Sequence, residues 1–454
     1  MKTLFLCTLL CGALHSAEIF VAASGNDGAA GSKAAPLASL AKAVEKAAAG
    51  DSIFLREGTF LGGVTVAKGD VTIAAFEGEK VTVKVPNDVE RTGNCLWFTA
   101  NGGVVRGIDL EGGYYYVLKF ELGVVGGLAE DCRIHGSGRD CVKIAGADKI
   151  TLRRCEIFDS GLRDNSNAEG IDNVNGDYML VQDCYIHDIA TCGVYPKGGS
   201  IGSIIERCFI TRCNAAGISM AQASGLQFYD KQANPEYYSC RDCIARNNII
   251  VDIKGSGIDL ESALRPKVYN NTIVNVAQTM RGGIRVAGNN KGGDAGLVKC
   301  KDAEIRNNII VISAESKRPA IMFCKDSHDG TLTMSNNHYH KVGGKPMFWW
   351  EPTNSYGLDL AAWQKASGET DCAEGDPGLE ESWHLKKDSP CIGKAAPIKE
   401  FADDYDGNKR EKKWDIGADQ FSETALATPP AKETAGTGAK PAKPEKKTSG
   451  RAKD

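Results

Sequence analysis

The chain has 454 residues and a formal net charge of −4, so it lacks the basic surface by which nucleic-acid-binding proteins attract phosphates. It contains 52 glycines, which suits a fold with many tight turns. Residues 1–17 consist of Lys2, an apolar run and small residues, the pattern of a secretory signal peptide. We therefore expect a secreted or periplasmic protein, with lipidation at Cys11 as an alternative. No later apolar run reaches the roughly 20 residues of a membrane span.

The first elements after this segment are a strand at 18–23 and a short amphipathic helix within 36–49, ended by Gly50. Terminal units of stacked folds need a cap, so we expect this helix to cover the N-terminal end. Residues 52–85 then alternate apolar and polar side chains, as half-buried strands do.

From Leu128 to Tyr339 the chain repeats one pattern, in which a Cys or Asn precedes an apolar residue at a fixed offset. A repeat at a constant period of about 23 residues, lengthened in places by insertions, indicates a solenoid. Equivalent side chains in such a stack lie about 4.8 Å apart, so we interpret these residues as an interior ladder and not as metal ligands. The ladder consists of Cys132, Cys155, Cys184, Cys208, Asn248, Asn271, Asn308 and Asn337.

Each unit carries a second strand with an apolar residue at one equivalent inward position. Two short strands per coil, with no helical period between them, predict an all-β parallel β-helix over 18–345. Five of these inward residues follow a glycine, which suits a close backbone approach or an unusual φ. The inward residues are Val142, Ile171, Val194, Ile218, Ile258, Ile284 and Ile321.

The order of Ile19-Phe20-Val21, a Gly/Asp loop, an Ala-rich helix and the strands of 51–60 resembles the start of secreted right-handed parallel β-helix proteins. These include polysaccharide lyases of the pectate-lyase and alginate/chondroitin-lyase types. The resemblance implies a right-handed β-helix that acts on an acidic, uronate-containing polysaccharide. It also implies cleavage by β-elimination, with a Lys or Arg base and often Ca²⁺. We expect the protein to be a monomer.

The remaining chain changes character. Residues 346–422 contain most of the tryptophans and turn sequences such as Asp376-Pro377-Gly378, and we interpret them as a C-terminal capping segment. Cys372 and Cys391 within it are a candidate disulfide. Residues 423–454 are rich in Ala, Lys and Pro and predict a disordered tail.

Residues next to the inward positions point outward and form a stripe in which acids and bases concentrate. Elimination from a uronate requires a base, a cation beside the carboxylate and a proton donor. The candidate catalytic residues are Lys197 as the base, with Arg285 and Tyr195. The candidate substrate-binding residues are Lys143, Asp259, Glu261 and Arg281. Glu169, Asp172 and Asn173 are candidate oxygen ligands for Ca²⁺.

Other interpretations remain open at this point. A glycoside hydrolase would use Asp172 with Asp259 or Glu261 as a carboxylate pair separated by roughly 5–10 Å. A non-catalytic carbohydrate-binding β-helix would bind without turnover. Lys197 would then be a turn lysine paired with Asp172.

Overall fold

The computed structural model describes residues 16–221 and 224–423. Most of the predicted signal segment, and the predicted tail from residue 424 onward, lie outside the described residues. The described residues contain two α-helices, Leu40–Lys46 and Leu360–Ser367, of seven and eight residues. Within the described ranges no helix is long and apolar enough to cross a membrane.

The chain winds into a right-handed parallel β-helix in which three sheets of 12 strands run side by side along one axis. Each coil therefore contributes three strands, not the two that the sequence predicts. The additional strand arises because the ladder residue sits at a turn that splits one apolar run: Leu180–Gln182 and Tyr185–Ile189 flank Cys184. The residue before each ladder position has a positive φ, which makes that turn; these residues are Asp131, Arg154, Asp183, Arg207, Asn247, Asn270, Asn307 and Asn336.

Sheet 1 begins with the first strand of the described chain, and all its neighbouring strands are parallel. Its strands are Glu18–Val21, Ser52–Leu55, Thr72–Ala75, Gly103–Arg106, Val125–Glu130, Asp148–Arg153, Leu180–Gln182, Ile204–Glu206, Ile244–Arg246, Lys267–Tyr269, Glu304–Arg306 and Thr333–Ser335.

Sheet 2 carries the predicted charged stripe, and only its last strand is antiparallel to its neighbour. Its strands are Val64–Val66, Leu96–Phe98, Leu118–Phe120, Val142–Ala145, Ile171–Val174, Cys192–Lys197, Ala216–Ala221, Ser256–Glu261, Ile284–Ala287, Ile321–Phe323, Phe348–Trp350 and Ser355–Leu358.

Sheet 3 forms the third side of each coil, and the described residues also form two smaller sheets. The strands of sheet 3 are Gly58–Leu61, Val81–Val85, Asp109–Gly112, Arg133–His135, Glu156–Phe158, Tyr185–Ile189, Phe209–Cys213, Ile249–Val251, Thr272–Val276, Ile309–Ile312, His338–Lys341 and Ala373–Glu374. A five-stranded sheet contains Ser200–Ile201, Cys240–Arg241, Ala263–Leu264, Cys300–Lys301 and His328–Asp329. A two-stranded hairpin pairs Asn289–Asn290 with Leu297–Val298.

The interior follows the sequence pattern closely. All seven predicted inward residues of sheet 2 are fully buried. The glycines that precede five of them are required by close approach: a Cβ on Gly193 would lie 2.6 Å from the carbonyl oxygen of Gly217. A side chain at such a position would therefore force neighbouring coils apart.

The predicted ladder is buried along its whole length. Each Asn side chain passes a hydrogen bond to the next coil, with Asn248 Nδ2 3.0 Å from Asn271 Oδ1 and Asn271 Nδ2 3.0 Å from Asn308 Oδ1. The cysteines pack as small apolar groups near backbone carbonyls, and burial raises the pKa of Cys184 well above its usual value. No ladder cysteine is bonded to another sulfur.

The ends of the solenoid differ from the sequence-based expectation in one respect. The helix Leu40–Lys46 covers the N-terminal end, with Ser39 accepting the backbone N–H of Lys42 as its N-cap. Parallel strands continue to Ala373–Glu374, beyond the predicted boundary at 345. The helix Leu360–Ser367 and its buried Trp363 pack on the strand Phe348–Trp350 at the C-terminal end.

The segment 376–421 runs back along the outside of the solenoid. The asparagines that precede the ladder positions point outward and donate hydrogen bonds to the backbone of this segment. Asn247 Nδ2 lies 2.9 Å from Asp403 O, and Asn307 Nδ2 lies 2.8 Å from Ala396 O. We call 376–421 the closing segment. The candidate disulfide is absent, since Cys372 and Cys391 are free thiols.

Candidate functional site

Strand register brings the predicted stripe together on the outer face of sheet 2. Lys143 pairs in register with Asp172, and Asp172 with Tyr195. Further along the same face, Asp259 pairs with Ser219 on one side and with Arg285 on the other. The stripe divides into two groups of charges that lie on different coils.

The first group is the lysine cluster, formed by Asp140, Lys143, Glu169, Asp172 and Lys197. Asp172 is fully buried at its centre: Lys197 Nζ lies 3.0 Å from its Oδ1, and Lys143 Nζ contacts its Oδ2. Lys143 Nζ also lies 3.7 Å from Asp140 Oδ2. Two ammonium groups therefore compensate three buried carboxyl groups.

The charges of this cluster are set by competition between burial and ion pairing. Burial opposes ionisation of Asp172, but Lys143 and Lys197 outweigh it and lower the pKa of this carboxyl group. Burial, reinforced by Asp172 and Glu169, raises the pKa of Asp140 well above its usual range. Burial would lower the pKa of Lys143, but Asp172 and Asp140 raise it. These effects favour the charged forms of Asp172 and Lys143 and oppose ionisation of Asp140.

An open cleft of about 660 Å³ lies over the lysine cluster. Its floor and walls carry four cations against two acidic residues: Lys119, Arg139, Lys143 and Lys197, with Glu121 and Asp172. Leu122 and Phe228 line it and are exposed. Its charge and open shape suit a long anionic ligand.

Aromatic rings support each lysine of the cleft. Lys197 Nζ lies 4.1 Å from the ring centroid of Tyr195, and Lys119 Nζ lies 4.6 Å from that of Trp97. Lys143 Nζ lies 5.6 Å from the ring centroid of Tyr116. Such cation–π contacts stabilise an ammonium group that lies over the face of an aromatic ring. Tyr195 is itself buried and does not line the cleft, so its ring positions Lys197.

The predicted Ca²⁺ ligands form an acidic cluster that does not fit this ion. Asp140, Glu169 and Asp172 each place a carboxylate oxygen within 4.8 Å of the other two. Lysine ammonium groups contact both oxygens of Asp172, however, and Asp140 Oδ1 accepts the N–H of Glu169 at 3.1 Å. Asp140 Oδ2, Glu169 Oε2 and Asp172 Oδ1 are without a hydrogen-bond partner, and these three oxygens are fewer than the roughly six to eight that Ca²⁺ takes.

The structure corrects the third predicted ligand. Asn173 points into the solenoid, on the opposite face of its strand from Asp172. Its Oδ1 accepts the N–H of Gly176 at 3.0 Å and its Nδ2 donates to the carbonyl of Gly176 at 2.9 Å. Asn173 closes a turn, and Asp140 takes its place beside Glu169 and Asp172.

The second group is the arginine cluster, formed by Asp259, Glu261, Arg281, Arg285 and Asn289. Arg285 Nη1 lies 2.8 Å from Asp259 Oδ1 and 2.7 Å from Glu261 Oε2. Arg281 Nη1 lies 2.5 Å from the other oxygen of Asp259, and Asn289 donates to Glu261. These residues do not line the cleft.

The distance between the two groups decides which predicted roles are compatible. Asp172 and Asp259 are separated by three strand spacings, about 14 Å, because Tyr195 and Ser219 lie between them. This separation is too large for the carboxylate pair that the hydrolase interpretation requires. Arg285 lies three strand spacings from the strand of Lys197, and Asp259 and Glu261 hold its guanidinium group, so the structure does not bring Arg285 and Lys197 together.

Sequence reasoning missed several residues of the cleft. Lys119 is in register with Lys143, and Leu118 occupies the inward position before it. Extending the repeat one coil upstream would have found Lys119. Asp140 stands two residues before the inward Val142, as Glu169 stands two residues before Ile171, so aligning the repeats would also have found Asp140. Arg139 lies in a loop that carries no repeat signal.

Lys291 was also missed and links two insertions beside the cleft. Its Nζ lies 2.6 Å from Ser239 Oγ and 3.1 Å from Tyr229 Oη. Burial lowers the pKa of Lys291 to about 8. This contact connects the hairpin at 289–298 to the described part of the insertion, whose Gln227 and Phe228 line the cleft.

Comparisons with known proteins agree with this fold. Residues 123–295 match the family described as right handed beta helix region. A pectate lyase PEL9 of Emericella nidulans is 31% identical over 143 residues, which are 29% of this chain. The chain spans about a third of that relative, 34% of its length.

Solved structures show the same architecture at low identity. The crystal structure of pectate lyase Pel9A matches with a TM-score of 0.55 and 14% identity, over 90% of this chain and 98% of that one. The mannuronan C-5 epimerase AlgE6 A-module of Azotobacter vinelandii matches with a TM-score of 0.51 and 12% identity, over 72% of this chain and 91% of that one. The chain is thus a right-handed parallel β-helix protein with a pectate lyase among its relatives.

Proposed function

We propose that this protein cleaves a uronate-containing polysaccharide by β-elimination in the cleft over the lysine cluster. The observation that carries the proposal is that four cationic and two acidic side chains line this cleft. The pectate lyase relative, whose name states a lyase activity on an acidic polysaccharide, supports the same substrate class.

Lys143 is the cation that neutralises the substrate carboxylate. Its raised pKa keeps it charged, and its ion pairs with Asp172 and Asp140 fix its position. Arg139 lines the same cleft and provides a second donor for that carboxylate. Cations beside the carboxylate stabilise the enolate that develops when the neighbouring C5 proton is removed.

Lys197 is the base in this proposal. Its side chain is held between Asp172 and the ring of Tyr195, and it lines the cleft. After the Lys197 ammonium group has lost its proton to solvent, the amine takes the C5 proton, a double bond forms between C4 and C5, and the bond from C4 to the leaving oxygen breaks. The new ammonium group then returns the proton to that oxygen. No step passes through Ca²⁺, because the two lysines already contact both oxygens of Asp172.

The experiment offers pectate, alginate and glycosaminoglycans to the purified protein, with Ca²⁺ and with a chelator. An unsaturated uronate product raises the near-ultraviolet absorbance. We expect this rise in the wild type and its loss in Lys197→Met. Lys267→Ala is the matched control, because Lys267 also forms an ion pair, 2.7 Å to Glu400, but lies on sheet 1.

Other outcomes would overturn the proposal in distinct ways. New reducing ends without absorbance would indicate hydrolysis. Binding to a polyuronate without any product would indicate a carbohydrate-binding protein. Equal activity of Lys197→Met and the wild type would remove Lys197 from the mechanism.

A further inference from the structure

We propose that His384, Asp406 and Asp419 of the closing segment bind a divalent transition-metal ion, with Zn²⁺ as the best fit. One potential ligand atom from each residue lies within 4.8 Å of the other two. The three residues come from separate stretches of the closing segment, far along the chain from the lysine cluster. A metal here would therefore be independent of the proposed lyase reaction.

The orientation of His384 prepares one ring nitrogen for a metal. Its Nδ1 lies 3.1 Å from the carbonyl oxygen of Ser382, which accepts hydrogen bonds and cannot donate them. Ser382 Oγ also lies 3.0 Å from this nitrogen. When Nδ1 carries the hydrogen and directs it to the carbonyl, Nε2 of the neutral ring has a free electron pair for a metal. A histidine that donates its other nitrogen to a backbone carbonyl is the usual arrangement of a metal ligand.

His384 Nε2 faces the carboxyl group of Asp406. Asp406 Oδ2 lies 2.8 Å from His384 Nε2, and with the hydrogen on Nδ1 both atoms are acceptors that a metal ion can bridge. The second oxygen of the same carboxyl group, Asp406 Oδ1, is buried and has no hydrogen-bond partner, and its side chain is only 10% exposed. Asp419 is buried too, with Oδ2 accepting the N–H of Leu385 at 2.9 Å. A metal ion would satisfy all three groups.

The donor set identifies the kind of metal. One imidazole nitrogen with two carboxylate oxygens suits Zn²⁺ and its neighbours, whereas Ca²⁺ prefers oxygen ligands alone. Three protein ligands leave a coordination position for water. The ion would connect His384, which contacts the ring of buried Tyr405 at 5.8 Å, to the two carboxyl groups that follow Tyr405 in the chain. It would thereby hold separate stretches of the closing segment together.

The test uses the full chain after treatment with a chelator, followed by titration with Zn²⁺ alone. We expect one Zn²⁺ per chain, a rise in the thermal midpoint, and a Co²⁺ derivative with visible absorption. Each of His384→Gln, Asp406→Asn and Asp419→Asn should weaken binding at least tenfold. The matched control is His135→Gln, which removes a histidine 2.9 Å from Asp109 Oδ1 on sheet 3 and should leave binding unchanged.

Two results would overturn the proposal. Absence of stoichiometric binding to the wild type would mean that a proton, and not a metal, bridges His384 and Asp406. Binding that survives all three substitutions would place the ion elsewhere. Asp406→Asn keeps the shape of the side chain, so circular dichroism of this variant separates loss of metal from loss of folding.

Discussion

The solenoid has two halves that solve the same structural problem differently. In the half with the cysteine ladder, thiols fill the turn, and the outer side bears charged residues such as Asp131 and Arg154. In the half with the asparagine ladder, two consecutive asparagines occupy each turn. The second forms the ladder and the first binds the closing segment. The cleft lies over the cysteine half, whereas the arginine cluster lies over the asparagine half. The same repeat can therefore leave the outer face of sheet 2 open as a cleft in one half and occupy it with a network of ion pairs in the other.

The largest effect should come from removing the permanent cation of the cleft. Lys143→Met should lower kcat/KM on the cleaved polyuronate by about 10²–10³-fold, the usual effect of losing one preorganised donor to a developing anion. Arg285→Met removes a cation of the arginine cluster, which does not line the cleft, and should change kcat/KM only a few-fold. Steady-state kinetics on both variants measure this. Equal losses would show that the two clusters act as one site.

A smaller effect should separate the two ladders. Asn271→Ala removes the acceptor of the Asn248 side chain and the donor to Ala245 O, 3.0 Å away. Leaving these buried groups unpaired should lower the free energy of unfolding by about 3 kcal/mol. Cys184→Ala removes a buried sulfur and should cost about 1 kcal/mol. Denaturant unfolding compares the two variants, and a larger loss for the cysteine would contradict the assigned roles.

The smallest effect concerns pH and the lysine cluster. The pKa of Asp140 is raised, first by burial, so the folded protein binds this proton more tightly than the unfolded chain. The resulting stability is present at low pH and is lost as pH rises from 3.8 toward the raised pKa. Asp140→Asn does not titrate, so its stability relative to the wild type should increase between about pH 4 and about pH 7. Denaturant unfolding at both values measures this, and a constant difference would refute the assignment.

Regular features of the chain were predictable because they repeat. The inward residues of sheet 2, the buried ladder and the outward stripe follow from a period of about 23 residues and the alternation of side chains along a strand. The third strand of each coil was not visible, because the turn before Cys184 is made by the positive φ of Asp183 and not by a Gly or Pro. The course of the closing segment was also missed, since asparagine side chains such as Asn247 give no local sign of what they bind.

The sequence by itself determined the solenoid and the set of residues that share its outer face. Parallel strands stacked in register place equivalent residues of successive repeats next to one another. Only the tertiary structure decided which of those residues meet. Lys197 and Asp172 lie on adjacent coils and form an ion pair, whereas Asp259 and Arg285 lie too many coils away to join them. Loops outside the repeat supply Arg139 and the wall at Phe228, and their positions depend on packing that no period records. The same holds for His384, Asp406 and Asp419, which are distant in sequence and adjacent because the closing segment folds on itself.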